Sequence, residues 1–321
     1  MSWPTTLDRE RLTLASKKIG PADAERQMRT AEELLRRLTT QPGVVLADEV
    51  GMGKTFVALA AALSAVWADK GKRPVVVMVP TSVQRKWVRD FEVFRELCLR
   101  KPEDRAIPVA EAHNALDFFK LLDDPLSRRA RIIFLAHGSF HRTLQDPWVK
   151  LAILKFALHH AKLGDRRKAL TRFAADILRT KGSHSSPEMF QRLLDKDFDR
   201  WREILAEYGD DPGDDPVPEA LAKALVKSDL DLTELRQALA ELPLRDSKNV
   251  DDRLKEVRRA LNASFQNVWH EALVNARFRS PLLILDEAHH VKNPATKLAS
   301  LFVHEDVATG QRGYQFHRRH R

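Results

Sequence analysis

Two short runs in this chain carry side chains that could work together on a phosphoanhydride. The first, Gly51-Met52-Gly53-Lys54-Thr55, stands between the apolar run Val44-Val45-Leu46-Ala47 and the stretch Phe56-Val57-Ala58-Leu59-Ala60-Ala61-Ala62-Leu63. That order reads as strand, glycine loop and helix. Glycines let backbone N–H groups curl around phosphate oxygens, and the helix N-terminus adds partial positive charge. Lys54 would reach the outer phosphates and the Thr55 hydroxyl would ligate Mg²⁺. One departure stands out: Asp48 occupies the position where the general phosphate-loop pattern has its first glycine. The second run, Leu283-Ile284-Leu285-Asp286-Glu287-Ala288-His289, is an apolar strand that ends in two acids. Asp286 would enter the water shell of Mg²⁺, and Glu287 would face the attacking water. The expected site is thus one for ATP with Mg²⁺. Gly51, Gly53, Lys54 and Thr55 hold the nucleotide, Thr55 and Asp286 hold the metal, and Lys54, Asp286 and Glu287 carry the catalysis.

Such residues need a frame that brings them to one edge. A helix is expected from about Ala22 to Leu38, ended by Gln41-Pro42-Gly43, with the strand, loop and helix of the first run following to about Lys70. A strand over Val75 to Val79, helices over Val83 to Leu97 and Glu111 to Leu122, and a strand over Ile132 to Ala136 extend the alternation. Near-continuous apolar strands alternating with helices predict an α/β fold with a parallel sheet covered on both faces. ATP would then bind at the carboxyl ends of the strands.

The run Leu46-Ala47-Asp48-Glu49-Val50-Gly51-Met52-Gly53-Lys54-Thr55 resembles motif I of the Swi/Snf-type branch of superfamily-two helicases, and Asp286-Glu287-Ala288-His289 resembles their motif II. Val75 to Phe91, with Val79-Pro80 closing the strand and Trp87 on the next helix, is similar to motif Ia. Arg131 to Phe140 is similar to motif Ib. The resemblance covers residues 25 to 91, 131 to 142 and 280 to 293. It implies the RecA-like lobe of a P-loop NTPase, with motifs I, Ia and Ib in residues 1–142 and motif II in 280–300. It also implies that Gln27 reads adenine, that Thr81, Ser82 and Lys86 contact nucleic acid, expected to be double-stranded DNA, and that His289 links the nucleotide to that side.

Residues 143–279 lie outside the resemblance and change character. Trp148, Leu151, Leu154, Ala157 and Leu158 make one helical stripe, Leu170, Phe173, Ile177 and Leu178 another, and Phe190, Leu193, Leu194, Phe198, Trp201, Ile204 and Leu205 a third. These stripes, and a long helix from about Val250 to Ala276, predict an all-helical insertion within the lobe. Arg166, Arg167, Lys168, Arg172, Arg179 and Lys181 form a basic cluster that could touch a phosphate backbone or simply face water. The pairs His159-His160 and His289-His290 lack the partner spacing of a metal site.

The chain has 321 residues, 43% hydrophobic and 31% charged, in the range of a globular protein. Its net charge of +9 favours a polyanionic partner. Cys98 is the single cysteine, which excludes an intrachain disulfide and fits a reducing cytoplasm. No apolar run approaches the roughly 20 residues that span a bilayer, and no signal peptide is expected, because no apolar stretch follows Met1-Ser2-Trp3-Pro4.

Only 28 residues follow Asn293, ending in the basic stretch Arg312 to Arg321. The family would continue into a second RecA-like lobe with an arginine finger. Residues 301–321 are expected to be a flexible tail or the product of a split or frameshifted gene. The expectation is an ATP-binding lobe that hydrolyses ATP poorly alone and works with a separate second-lobe polypeptide. The alternative is a non-catalytic, nucleotide-dependent protein-interaction module.

Overall fold

The computed structural model describes residues 3–15, 19–47, 53–161, 164–209, 213–227, 230–276, 278–287, 303–305 and 312–314. The chain divides into two compact units, Met1–His141 with Phe278–Arg321, and Arg142–Arg277.

The first unit is built on a parallel sheet of four strands, β1 (Val75–Val79), β2 (Val109–Ala112), β3 (Ile132–Ala136) and β4 (Leu283–Leu285), in the order β2-β3-β1-β4. The central pair β1 and β3 is buried at every position. That is why these strands read as continuous apolar runs and not as alternating ones.

Three helices, α1 (Pro21–Arg37), α2 (Lys54–Ala68) and α3 (Gln84–Cys98), share one core with Val75, Val77, Val79, Ile132 and Phe134. Proline at the start of α1, Asp23 in its first turn and Arg36 and Arg37 in its last suit the helix dipole. Phe56 of α2 meets Phe94 of α3 edge-on at 5.3 Å, so both helices cover the same face of the sheet. Phe91 and Phe94 are fully buried, each worth about 1.5–3 kcal/mol of transfer free energy. The alternate strand residues, Val76, Met78, Ile133 and Leu135, point to the opposite face. After the short α4 (Pro102–Arg105), α5 (Ala115–Asp123) is capped by Asn114, whose side chain accepts from Asp117 N, and its Phe118 packs against Phe140 and Phe278.

The N-terminal segment is bolted to this frame. Leu12 forms a bridge to Leu99, and Arg11 donates from Nε to Asp104 Oδ2 at 2.9 Å while its guanidinium stacks 4.0 Å above the Trp67 ring. The Asp104 carboxylate holds the Arg11 pKa above its ordinary value.

Two expectations need correction. Val109–Ala112 is a strand where a helix beginning at Glu111 was expected. It is a short edge strand, largely half-exposed and carrying Glu111, so it lacks the apolar run by which the inner strands are recognised. The apolar segment Val44 to Ala47 is not paired as a strand, and Val45 is 82% exposed. Apolar character records a tendency to be buried, whereas strand structure needs a partner's hydrogen bonds. Because α2 and α3 lie on one face and crossovers share one hand, a strand preceding α2 would belong on the outer edge of β4. Among the described residues that edge is unpaired.

The second unit is all-helical among its described residues: α6 (Pro147–Ala161), α7 (Gly164–Leu178), α8 (Pro187–Asp195), α9 (Trp201–Glu207), α10 (Glu219–Lys227), α11 (Thr233–Ala240) and the long α12 (Val250–Asn275). In chain order it lies between β3 and β4. Its third sequence stripe is broken between α8 and α9, where the Lys196 carbonyl accepts from Trp201 Nε1 at 3.2 Å and from Lys155 Nζ. Burial holds the Lys155 pKa below its ordinary value. In the first unit, β5 (Val303–Glu305) and β6 (Arg312–Tyr314) form a short antiparallel ladder. No helix among the described residues is long and apolar enough to cross a membrane.

Candidate functional site

The described site residues gather at helix starts and strand ends. Gly53 is the N-cap of α2 with φ +81°, and Phe56 N and Val57 N both donate to its carbonyl, at 3.0 and 3.1 Å. Lys54 and Thr55 form the first helical residues, half-exposed, with no acid in that turn. The helix therefore presents its positive end with a lysine and a hydroxyl, which suits an anion. Gln27, buried on α1, lies directly against Gly53: its Cδ sits 2.6 Å from the point where a Cβ of residue 53 would stand. The structure thus brings Gln27 onto the loop's last glycine. Gly51, with Asp48 and Glu49, lies outside the described residues, as do Ala288, His289 and His290.

At the far end of β4 the chain leaves the ladder with Asp286 N donating to Met78 O at 2.9 Å. The Asp286 side chain is held twice: Trp87 Nε1 donates to Oδ2 at 2.8 Å and Glu287 N to Oδ1 at 3.1 Å. Glu287 is exposed and has φ +52°, a left-handed conformation that costs a non-glycine residue about 1–2 kcal/mol. Strain of this kind at the end of a strand is a common mark of a working site.

Thr81 and Ser82 follow β1 in a tight helical turn, Thr81–Val83, and both are exposed. Thr81 Oγ1 stands 3.3 Å from the Cβ position of Gly138, so the turns after β1 and β3 abut. Lys86 is exposed on α3 with Arg85 and Arg89, and none of the three has an ion-pair partner among the described residues. Two residues had roles that the sequence reading did not see. Trp87 ties α3 to Asp286, 199 positions away. Gln84 is buried at the start of α3 and its Nε2 donates to Ala112 O and Phe134 O, both at 3.1 Å, tying the end of β2 to the middle of β3. The available signal was a polar residue on the apolar stripe 84, 87, 91, 94 and 98.

Three of the six side chains of the second unit's basic cluster are bonded to the protein, while Lys168, Arg179 and Lys181 are exposed. Arg166 donates to Leu242 O at 2.6 Å, Arg172 to Leu244 O at 2.9 Å, and Arg167 pairs with Asp195. These three side chains hold the segment after α11 and the end of α8.

Residues 26–101, which span α1, α2, β1 and α3, match the family model of the SNF2-related domain. This segment is SNF2-related. The match suggests an ATPase-type domain like those of the Swi/Snf family, and it contains Gln27, Gly53, Lys54, Thr55, Thr81, Ser82, Lys86 and Trp87. Asp286 and Glu287 lie outside the SNF2-related match, joined to it in space by the Trp87 bond and the β1–β4 ladder. No curated protein and no solved structure matches the chain.

Among the described residues no group of three or more His, Cys, Asp or Glu side chains is gathered as a metal cage. The hard oxygens of Thr55 and Asp286 suit Mg²⁺, which typically takes one or two protein ligands and fills its shell with phosphates and water.

Proposed function

We propose that the chain is the RecA-like, ATP-binding lobe of a Swi/Snf-like DNA-dependent ATPase. In this reading residues 142–277 are a helical insertion, placed by the chain between β3 and β4. The observation that carries the reading is the indole bond from Trp87, inside the SNF2-related segment, to Asp286, the acid of the second motif.

In this site Lys54 and the N-terminal amides of α2 bind the phosphates, and Gln27 orients the base. Thr55 and Asp286 would hold Mg²⁺, which when bound neutralises charge on the phosphate oxygens. Glu287 orients and deprotonates the attacking water. Thr81, Ser82 and Lys86, with Arg85 and Arg89 beside them, would meet the backbone of double-stranded DNA. A second RecA-like lobe, in the same polypeptide or another, would supply an arginine to the transition state, a contribution worth about 10³–10⁵ in rate. The buried thiol of Cys98 suits the reducing cytoplasm in which we place the protein.

A second reading, a nucleotide-dependent protein-interaction module, is favoured by the self-contained helical unit Arg142–Arg277. ATP turnover with Mg²⁺, with and without double-stranded DNA, separates the two, with Lys54→Ala as the blank. DNA-stimulated turnover that Glu287→Gln abolishes supports the ATPase. Nucleotide binding with no turnover, even with a second lobe added, would sink it in favour of the module.

A further inference from the structure

We infer that Trp87 is a positioning residue for the metal-binding carboxylate of Asp286. The inference rests on the ATP-site reading and adds a residue to it.

Asp286 is fixed at three points, two of them on its carboxylate. Its backbone N–H is tied to Met78 on β1, Oδ1 accepts from Glu287 N, and Oδ2 accepts from the indole of Trp87 at 2.8 Å. The Trp87 ring is itself held: it is 6% exposed and belongs to the core shared by α1, α2 and α3. A side chain with two torsions, locked by packing, therefore sets the rotamer of an acid that is only half-buried. Each carboxylate oxygen has two acceptor directions, so one on each remains open for a metal or its water.

The choice of indole has a chemical reason. Lysine or arginine at this place would neutralise the carboxylate and compete with the cation. A hydroxyl could turn round and accept instead of donate. Indole N–H only donates and carries no charge, so it brings no cation to compete with the metal. Loss of an outer partner of this kind typically lowers metal affinity or activity about 10–100-fold.

The bland alternative is that Trp87 packs the core and its N–H merely finds the nearest acceptor. Trp87→Phe keeps most of the packing and removes only the donor. The first measurement needs no nucleotide: the indole N–H resonance of Trp87, assigned by its absence in W87F, is followed in Asp286→Ala. We expect it to shift and to exchange faster with solvent; an unmoved resonance would overturn the contact and with it the proposal. The second is Mn²⁺ affinity by electron paramagnetic resonance in saturating ADP, beside ADP affinity in chelator. W87F should bind ADP without metal within about twofold of the parent and bind Mn²⁺ about tenfold more weakly, and D286N should lose the metal. Parent-like Mn²⁺ affinity in W87F alongside loss in D286N would reduce Trp87 to packing, while the ATP reading stands. If the parent chain binds no Mn²⁺ with ADP and K54A is indistinguishable from it, the ATP reading itself fails and the proposal falls with it.

Discussion

The amide of Gln27 occupies the space that a side chain at residue 53 would need. Gly53 is left-handed at φ +81°, and the Gln27 Oε1 and Cδ lie 3.0 and 2.6 Å from its would-be Cβ. Conformation and contact therefore both demand glycine, and the demand couples a helix 26 positions upstream to the phosphate loop.

Gly53→Ala is expected to destabilise the chain by about 2 kcal/mol, from left-handed strain together with overlap on Gln27. Gln27→Ala should relieve the overlap but not the strain. The double variant should therefore be more stable than the sum of the single effects predicts, by roughly 0.5–1 kcal/mol in a double-mutant cycle read by urea denaturation. Strict additivity would show that Gln27 does not press on the loop.

Gln84 bridges the carbonyls of Ala112, at the end of β2, and Phe134, within β3, with one amide. Gln84→Leu keeps the volume and leaves both acceptors without their donor inside the protein, a loss of about 1–3 kcal/mol. Gln84→Glu should be worse, since an ionised carboxylate offers those carbonyls no hydrogen. Thermal melts of the two variants decide this, and equal stability of parent, Leu and Glu forms would remove Gln84 from the frame.

Cys98 is fully buried and its thiol pKa is pushed up to about 12 by burial. The folded state thus keeps the proton where the unfolded chain, with a thiol near 9.0, gives it up. Stability from this group is full below pH 9 and falls as the pH rises above it, by at most about 1.4 kcal/mol per pH unit. The gap in unfolding free energy between parent and Cys98→Ala should narrow by about 1 kcal/mol from pH 8 to pH 10. In the native chain a thiol reagent should label Cys98 only through unfolding; labelling at the rate of a free thiol would contradict the burial.

The sequence by itself determined most of the alternation and singled out the candidate site residues. Gly53-Lys54-Thr55 and Asp286-Glu287 stand out as candidates because phosphate, metal and water binding would need those residue types next to one another. Strands β1 and β3 are legible because burial on both faces leaves an uninterrupted apolar run. What depends on residues distant in sequence was hidden. Edge strand β2 has too little apolar character to announce itself, and Val44 to Ala47 has the character without the partner. Trp87 meeting Asp286, Gln84 clasping two neighbouring strands and Gln27 against Gly53 are products of packing. Arg166 and Arg172 read as charges for a phosphate backbone or for water, and their bonds to the carbonyls of Leu242 and Leu244 were not legible. A hydrogen bond is decided by where two groups stand within about 3 Å, and only the folded chain sets that distance.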